Sequence, residues 1–293
     1  MNEILILGCS FSAGDELADP DIFGDAYWDY LNESKEERQK RINSNDYRDW
    51  MSDILKLYKG DREKYVDDCQ KYVWGTLLQE KLKDYKIINY ASGGIGISLY
   101  QYLYNNPIYA YVRIPKYKLA EKINNSDILI WQITLEPRYT FVADKEIVTP
   151  ASKSFGVENI ENMKINHYKK KIIKDYFIHC VNPFEIYKKN INFANYIALK
   201  RSSEKKKTIF FSFFNDDFWQ VHKESFDTIT DNPYVHYVND LNEYKGGLVD
   251  KYHKEKIISV EKDYLRFGHP NHKIQKLVAK DIYDFLCDNG VVE

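Results

Sequence analysis

The chain has 293 residues, 44% of them hydrophobic and 29% charged, close to the average of globular domains, which excludes disordered, collagenous and fibrous classes. Its 42 Lys and Arg against 44 Asp and Glu give a formal net charge of -2, so it lacks the whole-chain basic field of a general nucleic-acid binder. No apolar run reaches the roughly 18–20 residues that span a bilayer, and the opening MNEILILGCS has no positively charged leader region. A cytoplasmic protein with neither a nucleic-acid nor a membrane partner is therefore expected. Cys9, Cys69, Cys180 and Cys287 form no CxxC pair, which argues against a disulfide framework or a thiolate metal site and suits a reducing compartment. The 25 Tyr and 15 Phe are spread evenly, so they read as the bias of an A- and T-rich genome rather than as a sugar-stacking surface.

In chain order, Glu3–Leu7 is a short apolar run closed by Gly8, Cys9 and Ser10, which predicts a buried strand. Residues from about 16 to 70 are charged, Asp- and Tyr-rich and partly helical; they read as an insertion. A helical pattern over Tyr72–Leu82 leads to a second strand at Lys86–Tyr90, and a third is expected at Asp127–Ile133. Residues from about 139 to 182, with VTPASKSFG and the basic HYKKKIIKDY, read as a second insertion. A long helix over Phe184–Lys200 precedes a fourth strand at Lys207–Phe214, and a weaker fifth is expected at Lys256–Val260. The basic clusters Lys169–Lys171 and Lys205–Lys207 read as solvated faces. Ile274, Leu277, Val278, Ile282, Phe285 and Leu286 form one apolar stripe; the spacing predicts a closing helix with Pro270 in its first turn and Gly290 as its stop. Strands alternating with helices predict one α/β domain over residues 1–293, a mostly parallel five-stranded sheet covered on both faces.

In such a sheet chemistry gathers at the carboxyl ends of the strands. Those ends carry Gly8-Cys9-Ser10-Phe11-Ser12-Ala13-Gly14, then Asn89-Tyr90-Ala91-Ser92-Gly93-Gly94, then Gln132, Thr134 and Glu136-Pro137-Arg138; Phe267-Gly268-His269-Pro270-Asn271-His272 precedes the last helix. A serine hydroxyl is a weak nucleophile at neutral pH and needs a base within hydrogen-bond reach, which a histidine supplies. Cys9 beside it is expected to point into the sheet as a buried small hydrophobe. His269 and His272 have no further ligand cluster around them, so no metal is expected.

Together these segments resemble the SGNH/GDSL hydrolase superfamily, over most of the chain apart from the two insertions. The phrasing of GCSF, GG, PR and HPNH is most similar to members found in bacteriophage genomes. The resemblance implies a three-layer α/β/α, flavodoxin-like domain and an esterase without a cofactor. By the same resemblance Ser10 is the nucleophile, His269 the general base, and the Ser10 and Gly94 N–H groups oxyanion donors, with Gly93 close behind. The family's asparagine donor is absent from IWQITLEPR; Gln132 or Thr134 stands in for it, and spacing does not choose between them. The aspartate before the nucleophile is replaced by Cys9. The aspartate three residues before the histidine is replaced by Arg266, which leaves Asp263 as the carboxylate to orient His269. Arg138 is either a surface charge or a rim residue holding an anionic or sugar-linked substrate. The expected substrate is a small O-acyl ester, such as an acetyl group on a carbohydrate. The rivals are a non-catalytic binding module of the same fold and an O-acyltransferase on the same scaffold.

Overall fold

Strands that are apolar on both faces are stable only where both faces are covered, and the computed structural model of the chain contains such a sheet. It describes residues 2–14, 17, 56, 58–92, 96–111, 113–133, 141–143, 146–148, 167, 170, 171, 175, 182–213, 229, 231–238, 247–259 and 269–292. In chain order these form β1 (Asn2–Leu7), α1 (Ser10–Ala13), α2 (Arg62–Lys71), α3 (Trp74–Lys81), β2 (Tyr85–Asn89), α4 (Ile97–Asn105), α5 (Lys118–Asn125) and β3 (Ile128–Ile133). There follow β4 (Phe141–Ala143), β5 (Glu146–Val148), α6 (Pro183–Ser203), β6 (Lys207–Ser212), β7 (Val235–Tyr237), α7 (Leu248–Lys254) and α8 (His272–Asp288).

The main sheet has the order β2-β1-β3-β6-β7, and every neighbouring pair is parallel. This is the doubly wound, flavodoxin-like order, so the α/β fold class expected from the sequence is the one observed. The order reverses at β1 and β3, and ligand crevices in such sheets open outside the carboxyl ends of those two strands. β4 and β5 form a separate antiparallel pair. Among the described residues no helix is long and apolar enough to cross a membrane.

The chain divides into two compact units, Met1–Cys9 with Asp84–Asp250, and Ser10–Lys83 with Lys251–Glu293. The first holds the five-stranded sheet. On one sheet face Leu5, Leu7, Leu129, Trp131 and Phe210 pack against Ile97, Tyr100 and Leu103 of α4, Ile123 of α5, and Ile191, Ala194 and Ile197 of α6. On the opposite face Ile4, Ile6, Ile130, Ile209 and Phe211 are fully buried as well. At the amino ends of β3 and β6 sits Arg201, 1% exposed. Its guanidinium donates to Thr208 Oγ1, Ser126 Oγ and the carbonyls of Ile123, Ser126, Asp127 and Lys207. Burial pulls its pKa down to about 10.

In the second unit, α1 ends at Gly14, whose φ is +76° and where a Cβ would lie 2.8 Å from the Cys69 carbonyl oxygen. Only glycine fits there. Trp74, the first residue of α3, is fully buried. Asn271 caps α8, its side chain accepting from the Lys273 and Ile274 N–H groups at 3.1 and 3.2 Å.

Four expected strands form within a residue or two of their predicted ends, but the fifth is β7 rather than Lys256–Val260. Lys256 takes the left-handed conformation at φ 57°. The Ile257 N–H reaches the Tyr252 carbonyl and the Lys256 N–H the His253 carbonyl, the two bonds of a Schellman stop. The apolar run is thus consumed in ending α7. Gly290, at φ 58°, ends α8 by the same device, as expected from its position. That helix begins at His272 rather than just after His269, because the Asn271 cap leaves Pro270 outside the first turn. The pattern over Tyr72–Leu82 is broken at Tyr72 and Val73, which close α2 and open α3.

Candidate active site

In the sheet-bearing unit the first two candidate turns are tied together beyond their strands. The Tyr90 N–H donates to the Ile6 carbonyl at 2.9 Å and the Ser92 N–H to the Gly8 carbonyl at 3.3 Å, so the β1–β2 pairing runs on past both strands as far as Ser92. The Asn89 side chain accepts the Ala91 N–H at 2.9 Å, and Arg113 donates to the Ala91 carbonyl at 3.3 Å.

Two buried side chains grip the peptides that lead to Ser10. Tyr100, from α4, accepts the Gly8 N–H at 2.9 Å. Its single proton is shared by the Gly8 carbonyl at 2.7 Å and the Tyr90 carbonyl at 3.1 Å. Burial pushes this phenol far above the ordinary tyrosine range, the Gly8 hydrogen bond opposing it only in part, so the hydroxyl keeps its proton. Gln132, on β3, accepts the Cys9 N–H through Oε1 at 3.1 Å and donates from Nε2 to Cys9 Sγ at 3.1 Å. Cys9 is buried, as expected, and its thiol is a hydrogen-bond acceptor inside the turn rather than a group open to substrate.

In the other unit, Ser10 is the first residue of α1. Two residues on, Ser12 is fully buried and its Oγ accepts the Trp74 indole N–H at 3.0 Å. The Trp74 backbone N–H donates to Gln275 Oε1 at 3.0 Å. Gln275 lies in the first turn of α8, and its N–H returns to the Asn271 carbonyl at 3.0 Å. One hydrogen-bonded chain therefore links α1, α3 and the start of α8, although Ser12 and Gln275 lie at opposite ends of the sequence. His269 is partly buried and stands two residues before the Asn271 cap. The ring of His272 meets Tyr72 edge-on, at 4.8 Å and 78°. Gly93, Gly94, Thr134, Arg138, Asp263 and Arg266 lie outside the described residues, as do most of the two insertions.

Sequence reasoning singled out Ser10, Gln132 and His269 but missed Ser12, Trp74, Tyr100 and Gln275. Three of these are polar or part-polar groups standing within or beside apolar helix stripes. That is the available signal, because a buried polar group must find a partner, but it does not name the partner.

No protein-family model matches the chain, and no curated protein does. Among solved structures it is similar to TesA, with 11% identity, 98% of this chain and 99% of that one covered, and a TM-score of 0.47. It is similar to the psychrotrophic esterase EstA from Pseudoalteromonas sp., with 14% identity, 97% and 96% covered, and a TM-score of 0.43. It is also similar to the acetyl xylan esterase AlAXEase, with 10% identity, 97% and 99% covered, and a TM-score of 0.44. Such likeness assigns neither substrate nor site residues.

Proposed function

We propose that the chain is a serine hydrolase of ester bonds, acting on a small O-acyl group such as an acetyl carried by a carbohydrate. Ser10 Oγ attacks the ester carbonyl while His269 takes its proton, and His269 then returns that proton to the leaving alcohol. Water, deprotonated by the same imidazole, releases the acyl group from Ser10. The developing oxyanion is held by the N–H groups of Ser10 and Gly94, with Gly93 alongside. The Gln132 amide has both ends on Cys9, which favours Thr134 as the third donor. Asp263 orients the imidazole and Arg138 holds the rim of the substrate. None of these steps uses a cofactor.

The observation that carries this reading is the chain of hydrogen bonds from Ser12 through Trp74 to Gln275. It ties the segment opening at Ser10 to the helix that follows His269, some 260 positions away. The sheet order supports it too, since β1 and β3 end where parallel sheets of this kind bind ligands. A binding module is favoured by one sequence feature, Arg266 at the place of the family's orienting aspartate. Turnover of p-nitrophenyl acetate separates the two. The hydrolase reading expects hydrolysis that Ser10→Ala abolishes; an active Ser10→Ala protein removes the serine mechanism, and an inert wild type leaves the binding module.

A further inference from the structure

We infer that Tyr100 and Gln132 are positioning residues, a pair of clamps that fixes the Gly8–Cys9 turn from opposite faces of the sheet and so sets the attack geometry of Ser10. The inference rests on the reading of Ser10 as nucleophile.

Tyr100 belongs to the helix covering the face that carries Leu5, Leu7 and Trp131, and its ring meets Trp131 edge-on at 5.8 Å. Gln132 follows Trp131 and Ile130 on β3, so strand alternation puts its side chain on the opposite face, with Ile130. The two side chains hold four atoms of the turn: the Gly8 N–H and carbonyl, the Cys9 N–H and Cys9 Sγ. Points held at this many atoms determine a position and a rotation, and the next peptide along is that of Ser10. Both side chains are buried, at 0% and 1% exposure, where hydrogen bonds are strong and an unmade one is expensive. The residue at position 9 matters to this arrangement. Cysteine carries no carboxylate, and its sulfur is the acceptor for the Gln132 amide; a two-point grip on one residue fixes its rotation as well as its place.

Neither side chain touches the substrate in this scheme, so the expected loss lies in the chemical step. Misplacing a reacting group by about 1 Å costs on the order of 100-fold in rate. Gln132→Met keeps the length and removes the polar ends, while Tyr100→Phe keeps the ring against Trp131 and removes the hydroxyl. Each is expected to lower kcat for p-nitrophenyl acetate by roughly 10- to 100-fold with KM within about twofold. The rate at which a fluorophosphonate labels Ser10 should fall in parallel. Thr208→Val, at the far end of the same sheet beside Arg201, is the control: it should lower the melting temperature and leave kcat alone. Should Gln132→Met fail to fold, Tyr100→Phe carries the test. Folded variants with wild-type kcat and labelling rate, beside an active and labelled wild type, overturn the positioning role alone. An inert, unlabelled wild type overturns the hydrolase reading, and this inference with it.

Discussion

Replacing Arg201 with methionine should unfold the sheet-bearing unit several degrees early while leaving catalysis intact. The guanidinium, 1% exposed, satisfies six oxygen atoms at the amino ends of β3 and β6. The Asp127 carbonyl keeps a partner in the Lys207 N–H at 3.2 Å, and the Lys207 carbonyl sits in a partly buried contact. The Ile123 and Ser126 carbonyls, in buried contacts, lose the guanidinium altogether. A buried acceptor stripped of its partner costs about 1–3 kcal/mol, so two cost about 4 kcal/mol at the middle of that range. Release of the desolvation cost of this buried cation, which pulls its pKa down to about 10, offsets a large part of this and leaves a net loss of about 1–3 kcal/mol. For a protein of this size that is a fall of roughly 2–5 °C in melting temperature, read by circular dichroism. Arg201→Lys, with fewer donors, should be less stable than wild type and more stable than Arg201→Met. A loss below about 1 kcal/mol, or a change in kcat at temperatures where the variant is fully folded, would refute the assignment of Arg201 to scaffolding alone.

Gln275→Leu should cost about 1–2 kcal/mol, because it removes the acceptor of the buried Trp74 backbone N–H; denaturation in urea measures it, and kcat should fall as well if the segment leading into α8 carries the general base. Asp68 should show its worth through pH. Burial alone would raise its carboxyl pKa, but hydrogen bonds from Lys64 at 2.7 Å and Lys71 at 2.5 Å hold it below the ordinary value of 3.8. A depressed carboxyl stabilises the folded state above that value and stops doing so as the pH falls below it. The stability gap between wild type and Asp68→Asn should therefore be full at neutral pH and close in acid; a gap that widens toward acid would reverse the sign.

The sheet was largely legible because β1, β3 and β6 each carry an unbroken apolar run, ILIL, ILIW and IFF, and β2 a shorter one, between turn residues. β7 was not, since three residues, Val235 to Tyr237, are too few to show a period. Lys256–Val260 misled for the opposite reason: its apolar residues suit a strand, but a lysine in the left-handed conformation closes a helix there. The parallel pairing of the strands followed from βα alternation, whereas what fastens the turns together did not. Gln132 holds Cys9 across 123 positions and Tyr100 holds Gly8 across 92. No local spacing encodes such pairings. Arg201 reads in the sequence as one more basic residue near the end of a long helix, and only the carbonyls around it distinguish it from Lys200.

Identifying the residue modified by a fluorophosphonate probe is the most direct test of whether an activated alcohol exists in this fold. Covalent phosphonylation at position 10, abolished in His269→Ala, is the outcome required. Modification of some other serine, or labelling at position 10 that proceeds equally fast without the imidazole, would contradict it.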